Sequence, residues 1–388
     1  MATPHLHFPR AEYAERQAKV REELAHRALD GLLVSRIEDQ YWLCGLDTCG
    51  FVIFHMMFIG THGQLTHVTR SADVASIKYS SICDDVRVWE DADGNPKSRA
   101  IKDMLAGHSM RGKRIGIQLD TFGLLPNLHL ELRDQLDGWC ELVDASDVIR
   151  MMRLVKSPRE LDYHRRAGAV LDDACRKAIE VTAAGVDEGK ILGQVYQVMW
   201  ESGADIPASR IPMGHGEKAL NVRYATGRGN IETDDQVTFE MGVAWRHYHV
   251  ADMFTVLTGP RVDPRHERMH EACVGALEAV QGTLRAGTTL GDVYQTHRDV
   301  LDRHGYGHAA LNACGYTMGA TFPPSWMEMP MIYRNNPFVL VENMVFFTHM
   351  ILTDLETGLT MSVGETAIIT ANRPEIITHV PRDMIVRP

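Results

Sequence analysis

The stretch MRLVKSPRELDYHRRAGAVLDDACRKAIEVT, residues 152–182, decides how the chain is to be divided. From Ser157 onward it reads as one long helix. Ser157 stands as the N-cap, Pro158 at the first helical position and Glu160 three residues after the cap, the pattern of a capping box. Gly185 supplies a stop. A second helix is expected at 188–202, and a further pair at about 264–285 and 290–304. Strands follow each pair: QVTFEMGV and RHYHVADMFTVLTG after the first, ENMVFFTHMIL and SVGETAIIT after the second. Two helices then strands, twice over, is a weak internal duplication. It predicts helices on one face of a curved, mainly antiparallel sheet, with the other face free to form a pocket.

Upstream of this stretch the pattern changes. Residues 11–28 have helical spacing, with Tyr13, Val20, Leu24 and Ala28 on one face. DGLLVS (30–35), FVIFHMMFI (51–59), QLTHVT (64–69), VRVW (86–89) and RIGIQ (114–118) read as short strands. SADVASIKY, SRAIKDMLAG and LPNLHLELRDQL between them read as helices. Alternation of this kind predicts an α/β domain over residues 1–153 and a second, α+β domain over 154–388.

Composition narrows the function classes. The 388 residues are 45% hydrophobic and 23% charged, as in ordinary globular proteins. A formal charge of −11 without any basic block argues against nucleic acid as a partner. Seven cysteines without CxxC spacing suggest reduced thiols. The N-terminus lacks a basic-then-apolar signal pattern, and apolar runs are too short for a bilayer, so a cytoplasmic location is expected.

Chemistry concentrates in the later strands. FEMGVAWRHYHVADM sets Glu240, His247, His249 and Asp252 in an otherwise apolar hairpin; His349 stands alone in FFTHMIL and Glu365 in SVGETAII. Burying a lone ionisable group costs several kcal/mol unless it is paired, so these groups are expected to pair with one another or with a ligand. Structural ion pairs or solvent-facing positions would satisfy the same rule. Of the 19 histidines, His5, His7, His67, His108, His266, His270 and His304 read as surface or loop residues. His215 lies in a glycine-flanked loop, RIPMGHGEKALN, where it is either a substrate contact or a turn histidine. Arg223 in ALNVRYATGRG is the cation that could hold a carboxylate, or an exposed loop arginine. Gly227 and Gly229 fit neither a dinucleotide nor a P-loop fingerprint, and there is no GxSxG or HExxH. Tyr316 follows Gly315 in CGYTMGATFPPSW, where FPPSW (322–326) reads as a rigid aromatic loop, either the wall of a small-molecule pocket or a plain surface turn.

At this point the residues resemble a known family. MRLVKSPRELDYHRRAGAVLDDA and DGLLVSRIEDQYWLCGLDT look like the linker-helix and opening of the creatinase, prolidase and methionine-aminopeptidase superfamily, the pita-bread fold. The resemblance implies an N-terminal creatinase-like α/β domain before a C-terminal pita-bread catalytic domain. It also implies a homodimer, with TCGFVIFH (48–55) either reaching a partner's pocket or forming core strand. Metal-binding members keep two Asp, one His and two Glu as ligands. Matching by motif, these fall on Glu240, Asp252, Tyr316, His349 and Glu365. Three of the five differ in type, which removes the two-metal geometry. CGYTMGATFPPSW, VLVENMVFFTHMIL, SVGETAIIT and VPRDMIV are similar to the ectoine hydrolase and creatinase branch, which implies metal-free cleavage of a C–N bond in a small cyclic amidine or guanidine-like compound and no cofactor. On that reading Glu240, Asp252 and Glu365 bind the cationic substrate. Glu240 is nucleophile or base, His349 carries protons, and Arg223, His249, Tyr316, His215 and Trp326 contact substrate. Two alternatives stay open: a metal-dependent Xaa-Pro peptidase with Glu240, Asp252, His349 and Glu365 around one ion, and a binding protein without catalysis.

Overall fold

The computed structural model describes residues 3–63, 65–92, 94–224 and 229–387. The chain separates into two compact units, Met1–Arg153 and Leu154–Pro388. In the first, the elements run α1 (Arg10–His26), β1 (Gly31–Val34), α2 (Ile37–Cys44), β2 (Met56–Gly60), β3 (Thr66–Arg70), α3 (Val74–Ser80), β4 (Asp85–Trp89), α4 (Lys97–Gly107), β5 (Arg114–Ile117), α5 (Pro126–Leu136), β6 (Glu141–Asp144) and α6 (Asp147–Leu154). Its sheet has the order β4-β3-β2-β1-β5-β6. β1–β5, β5–β6 and β3–β4 are parallel, and β2 runs antiparallel to both of its neighbours.

The strand expected over 51–59 begins only at Met56. The residues before it turn instead, with the Ile53 N–H on the Gly50 carbonyl and the Trp89 indole on the Phe54 carbonyl. His67, expected on the surface, is fully buried in β3. Its Nε2 pairs with Gln40 Oε1 at 2.9 Å. The Gln40 amide nitrogen is committed to the Val34 carbonyl, so the acceptor faces the ring and His67 carries its proton on Nε2. His266 is likewise buried, against Gln236. Period-2 and period-3.6 patterns find such elements, but a polar residue placed inside by a specific partner has no pattern to announce it.

The second unit holds two helix pairs and the larger sheet. α7 (Pro158–Val181) and α8 (Glu188–Glu201) precede β7 (Met213–His215), β8 (Gln236–Trp245) and β9 (Tyr248–Thr258). Then come α9 (Pro264–Thr283), α10 (Leu290–Arg303), β10 (Ala313–Thr317), β11 (Glu328–Tyr333), β12 (Val345–Asp354), β13 (Leu359–Ile368), β14 (Glu375–Ile376) and β15 (Ile385–Arg387). The sheet runs β11-β10-β12-β13-β9-β8-β7, antiparallel along this path, with β14 added to β13 and β15 parallel to β9. α7 packs on β8 and β9, and α9 on β12 and β13. Phe239, Met241, Phe254, Val363 and Phe346 form part of the core beneath the helices.

The starts of α7, α8, α9 and α10 are capped as their sequences dictate. Ser157 accepts from the Glu160 N–H while the Glu160 carboxylate accepts from the Ser157 N–H at 2.7 Å. Asp187, Asp263 and Thr289 cap α8, α9 and α10. The other Glu160 oxygen accepts from the Tyr248 hydroxyl at 2.7 Å, which ties the start of α7 to the start of β9.

Candidate active site

Strand register sorts the expected site residues. β8 and β9 pair Glu240 with Met253 and Met241 with Asp252. β13 pairs Gly364 with Met253, and β12 pairs His349 with Gly364 and Thr348 with Glu365. Side chains alternate along a strand and directly paired residues share a face. Glu240, Met253, Gly364 and His349 therefore stand on one face. Asp252 and Glu365 stand on the other, together with Met241 and the helix-packed core. β10 pairs Tyr316 with Phe347, which puts Tyr316 on the Glu240 face.

On that face three side chains form a chain. The Tyr316 hydroxyl donates to Glu240 Oε1 at 3.1 Å, and the Trp326 indole N–H donates to the Tyr316 oxygen at 2.8 Å. Beside Glu240 lies a narrow cleft, lined largely by Pro212, Val222, Thr238, Met253, Ile351 and Ser362. Burial among these neutral groups pushes Glu240 from 4.5 up to about 7, with the Tyr316 hydrogen bond and the Arg223 charge pulling the other way. Tyr316 is raised well above 10 by burial and by the Glu240 charge, so its phenol stays protonated. The His349 ring sits 5.8 Å from the Tyr316 ring and 5.5 Å from that of Phe347. Burial drives it from 6.5 down to about 3, and its Nδ1 has no hydrogen-bond partner. At neutral pH it is an uncharged imidazole. Arg223 is exposed on the segment before β8, close enough for its charge to act on Glu240.

The other acids lie elsewhere. The expectation that Glu240, Asp252 and Glu365 converge on one ligand is corrected by the register. Asp252 is fully buried, accepts from the Thr378 hydroxyl, and meets Cys175 Sγ of α7 at 3.8 Å. Burial raises its carboxyl well above 3.8, and the nearby charges of Glu365 and Asp172 add to the shift. Glu365 accepts from Gln281 of α9 and from Arg382, each at 2.7 Å, and from the Val380 N–H. Burial raises it too, against the Arg382 charge. Thr378, Gln281 and Arg382 carried no signal in the sequence, because each becomes a partner only through the long return of the chain.

Of the two further histidines expected at the pocket, His215 stands on the helix-packed face, and His249, paired with Ala244, shares the Glu240 face but is held by other groups. His215 pairs in register with Val237 of the helix-packed core. It is held by Asp235 at 2.9 Å and Lys218 at 3.1 Å. His249 Nε2 accepts from the Ala208 N–H, so its proton is on Nδ1, which faces the His247 carbonyl at 2.7 Å and the Thr321 hydroxyl at 2.9 Å. Both ring nitrogens are thus occupied by the protein itself. Gly227, read beside Arg223, lies outside the described residues.

Family comparison agrees with this architecture. Residues 162–371 match the family model "Metallopeptidase family M24", more than half of the chain, and residues 16–155 match "Creatinase/Prolidase N-terminal domain". The chain belongs to metallopeptidase family M24. It is therefore a hydrolase of the creatinase and prolidase pita-bread superfamily. An "Uncharacterized hydrolase/peptidase y4tM" of Sinorhizobium fredii is 26% identical, covering 98% of this chain and 99% of that one. An "Ectoine hydrolase" of Halomonas elongata is 24% identical over the same shares. The crystal structure of dipeptidase PepE from Mycobacterium ulcerans superposes with a TM-score of 0.84 at 23% identity, covering 98% of this chain and 99% of that one, a likeness of fold.

The M24 name implies metal, and the donors here do not fit a metal pair. Across the pocket face strand pairing leads from Glu240 to Met253, Gly364 and His349 in turn, while Asp252 and Glu365 are turned to the helices. Among the described residues no three His, Cys, Asp or Glu side chains converge so as to hold an ion. Gly364 has little room for a ligand: a Cβ there would stand 3.0 Å from the Phe347 ring and 2.9 Å from the Thr348 carbonyl. Among the described residues no helix is long and apolar enough to cross a membrane.

Proposed function

We propose that this M24 hydrolase opens a small cyclic amidine by metal-independent cleavage of a C–N bond, as in ectoine hydrolysis. One observation carries the reading: the register leaves Glu240 as the acid of the pocket face, hydrogen-bonded by a neutral phenol and lined by neutral groups. A carboxyl held near 7 takes and returns a proton at neutral pH. A planar amidinium beside it would favour the carboxylate and form charge-assisted hydrogen bonds. Arg223, near the same acid, suits a carboxylate on the substrate ring. The ectoine hydrolase relative supports the substrate class.

The steps balance with water as the co-reactant. Glu240 takes a proton from water as the oxygen bonds to the amidinium carbon, and the C=N electron pair moves onto nitrogen. Glu240 then returns that proton to the ring nitrogen as the C–N bond breaks, and the proton left on the new hydroxyl passes to the departing amine, so that amidinium and water give an amide and an ammonium group. Burial keeps His349 an uncharged imidazole, with one N–H and one lone pair, so the proton traffic is assigned to Glu240.

The test is a substrate panel. Purified protein is offered cyclic amidine carboxylates, with ectoine as the first probe, and Xaa-Pro dipeptides, with and without manganese. Ring opening without added metal is expected. Cleavage restricted to Xaa-Pro dipeptides, and only with manganese, would establish the peptidase reading instead.

A further inference from the structure

Trp326 contacts Glu240 only through another residue, and the polarity of that contact is fixed. An indole N–H is a donor without a lone pair, whereas a phenol has one proton and two lone pairs. With Trp326 donating at 2.8 Å, a lone pair of the Tyr316 oxygen is occupied. The single phenolic proton goes to the remaining partner, Glu240 Oε1 at 3.1 Å. We infer that Trp326 is a positioning residue: its N–H locks the Tyr316 proton onto Glu240 Oε1 and leaves Oε2 to face the reacting water. Tyr316 then has no second proton for the substrate, so it orients the acid and does not stabilise a developing oxyanion. This rests on the role proposed for Glu240.

The fold builds the lock deliberately. The Trp326 ring lies against Gly242, two residues along β8 from Glu240 and on the same face. A Cβ at Gly242 would stand 3.0 Å from Trp326 Cζ3 and 3.1 Å from Cε3, so only glycine seats the indole without displacement. Trp326 and Tyr316 are 3% and 2% exposed, which keeps water from competing for either bond. Among the described residues, Tyr316 from β10 and Arg223 from the segment before β8 act on Glu240, and His349 from β12 lies on the same face beside the Tyr316 ring. β7, β9 and β13 present Gly214, Met253 and Ser362, which carry no charge.

The test is a double-mutant cycle with a spectroscopic readout. Trp326→Phe should lower kcat about tenfold with KM within about twofold, the loss of one hydrogen bond acting on the reaction alone. Tyr316→Phe should lose at least as much. The double variant should be no worse than Tyr316→Phe, because Trp326 acts only through the phenol. Losses that multiply would overturn the inference. Gly242→Ala, which retains the indole, should give a smaller loss with the same KM. Independently of any substrate, the Trp326 indole proton is assigned among the 6 tryptophans by its absence from Trp326→Phe. It should move upfield in Tyr316→Phe; an unmoved signal also overturns the inference. A moved signal in a protein inert toward every amidine leaves the lock standing and removes the proposed reaction.

Discussion

Glu240 combines the two properties a general base needs, a titration near neutrality and a fixed orientation. Glu240→Gln keeps the shape and removes the proton acceptor, so kcat should fall by about 10²–10⁴-fold, read by initial rates on ring opening. For the wild type, kcat/KM should rise with pH and level off above about 7, where Glu240 is ionised. Stability moves the opposite way. The folded carboxyl titrates at about 7 against an ordinary 4.5, so between these values the native state binds more protons than the unfolded chain. Its contribution is present below 4.5 and is lost as pH rises through about 7. Glu240→Gln should accordingly melt higher than wild type at pH 8, by about 2–4 °C for each kcal/mol relieved, and not at pH 4. An unchanged difference between the two pH values would show that Glu240 is not held in a neutral environment. The sequence showed Glu240 as an isolated acid in an apolar strand. It could not show the shift, which depends on which distant side chains close around it.

Register decides what the strands do with their charges. The four main strands and four helices of the second unit were legible from periodicity and caps, and the capping box at Ser157 and Glu160 is present as spelled. That the five residues do not converge was not legible. Along a strand a one-residue step changes the face, and motif matching placed Asp252 and Glu365 where only exact pairing could reveal that they point to the helices. Two consequences are measurable. Asp252→Asn, close in shape to the protonated acid, should keep kcat/KM within about threefold, whereas Asp252→Ala strands the Thr378 hydroxyl and should cost about 1–3 kcal/mol in urea unfolding. Loss of turnover in a folded Asp252→Asn protein would return that acid to the reaction. Ser157→Ala should cost about 1 kcal/mol, since it removes one side of the box that starts α7.

At the scale of the molecule, each unit has its own sheet and its own core. A fragment of residues 154–388 should give one cooperative thermal transition, and a broad, non-cooperative melt would show that the second core depends on the first. The pattern of strands and helices changes near residue 154, where the second compact unit begins. The return of residues 375–382 across the acids of the helix-packed face was not readable in the sequence, because such contacts join distant segments with no local pattern. The central proposal is that the pocket face works without a metal pair. The most direct measurement is kcat/KM for ectoine ring opening by protein stripped with a chelator, followed across pH. The account predicts an activity equal within about twofold to that of protein supplied with manganese, rising with an apparent pKa of about 7. Activity that vanishes on stripping and returns with stoichiometric manganese would contradict it.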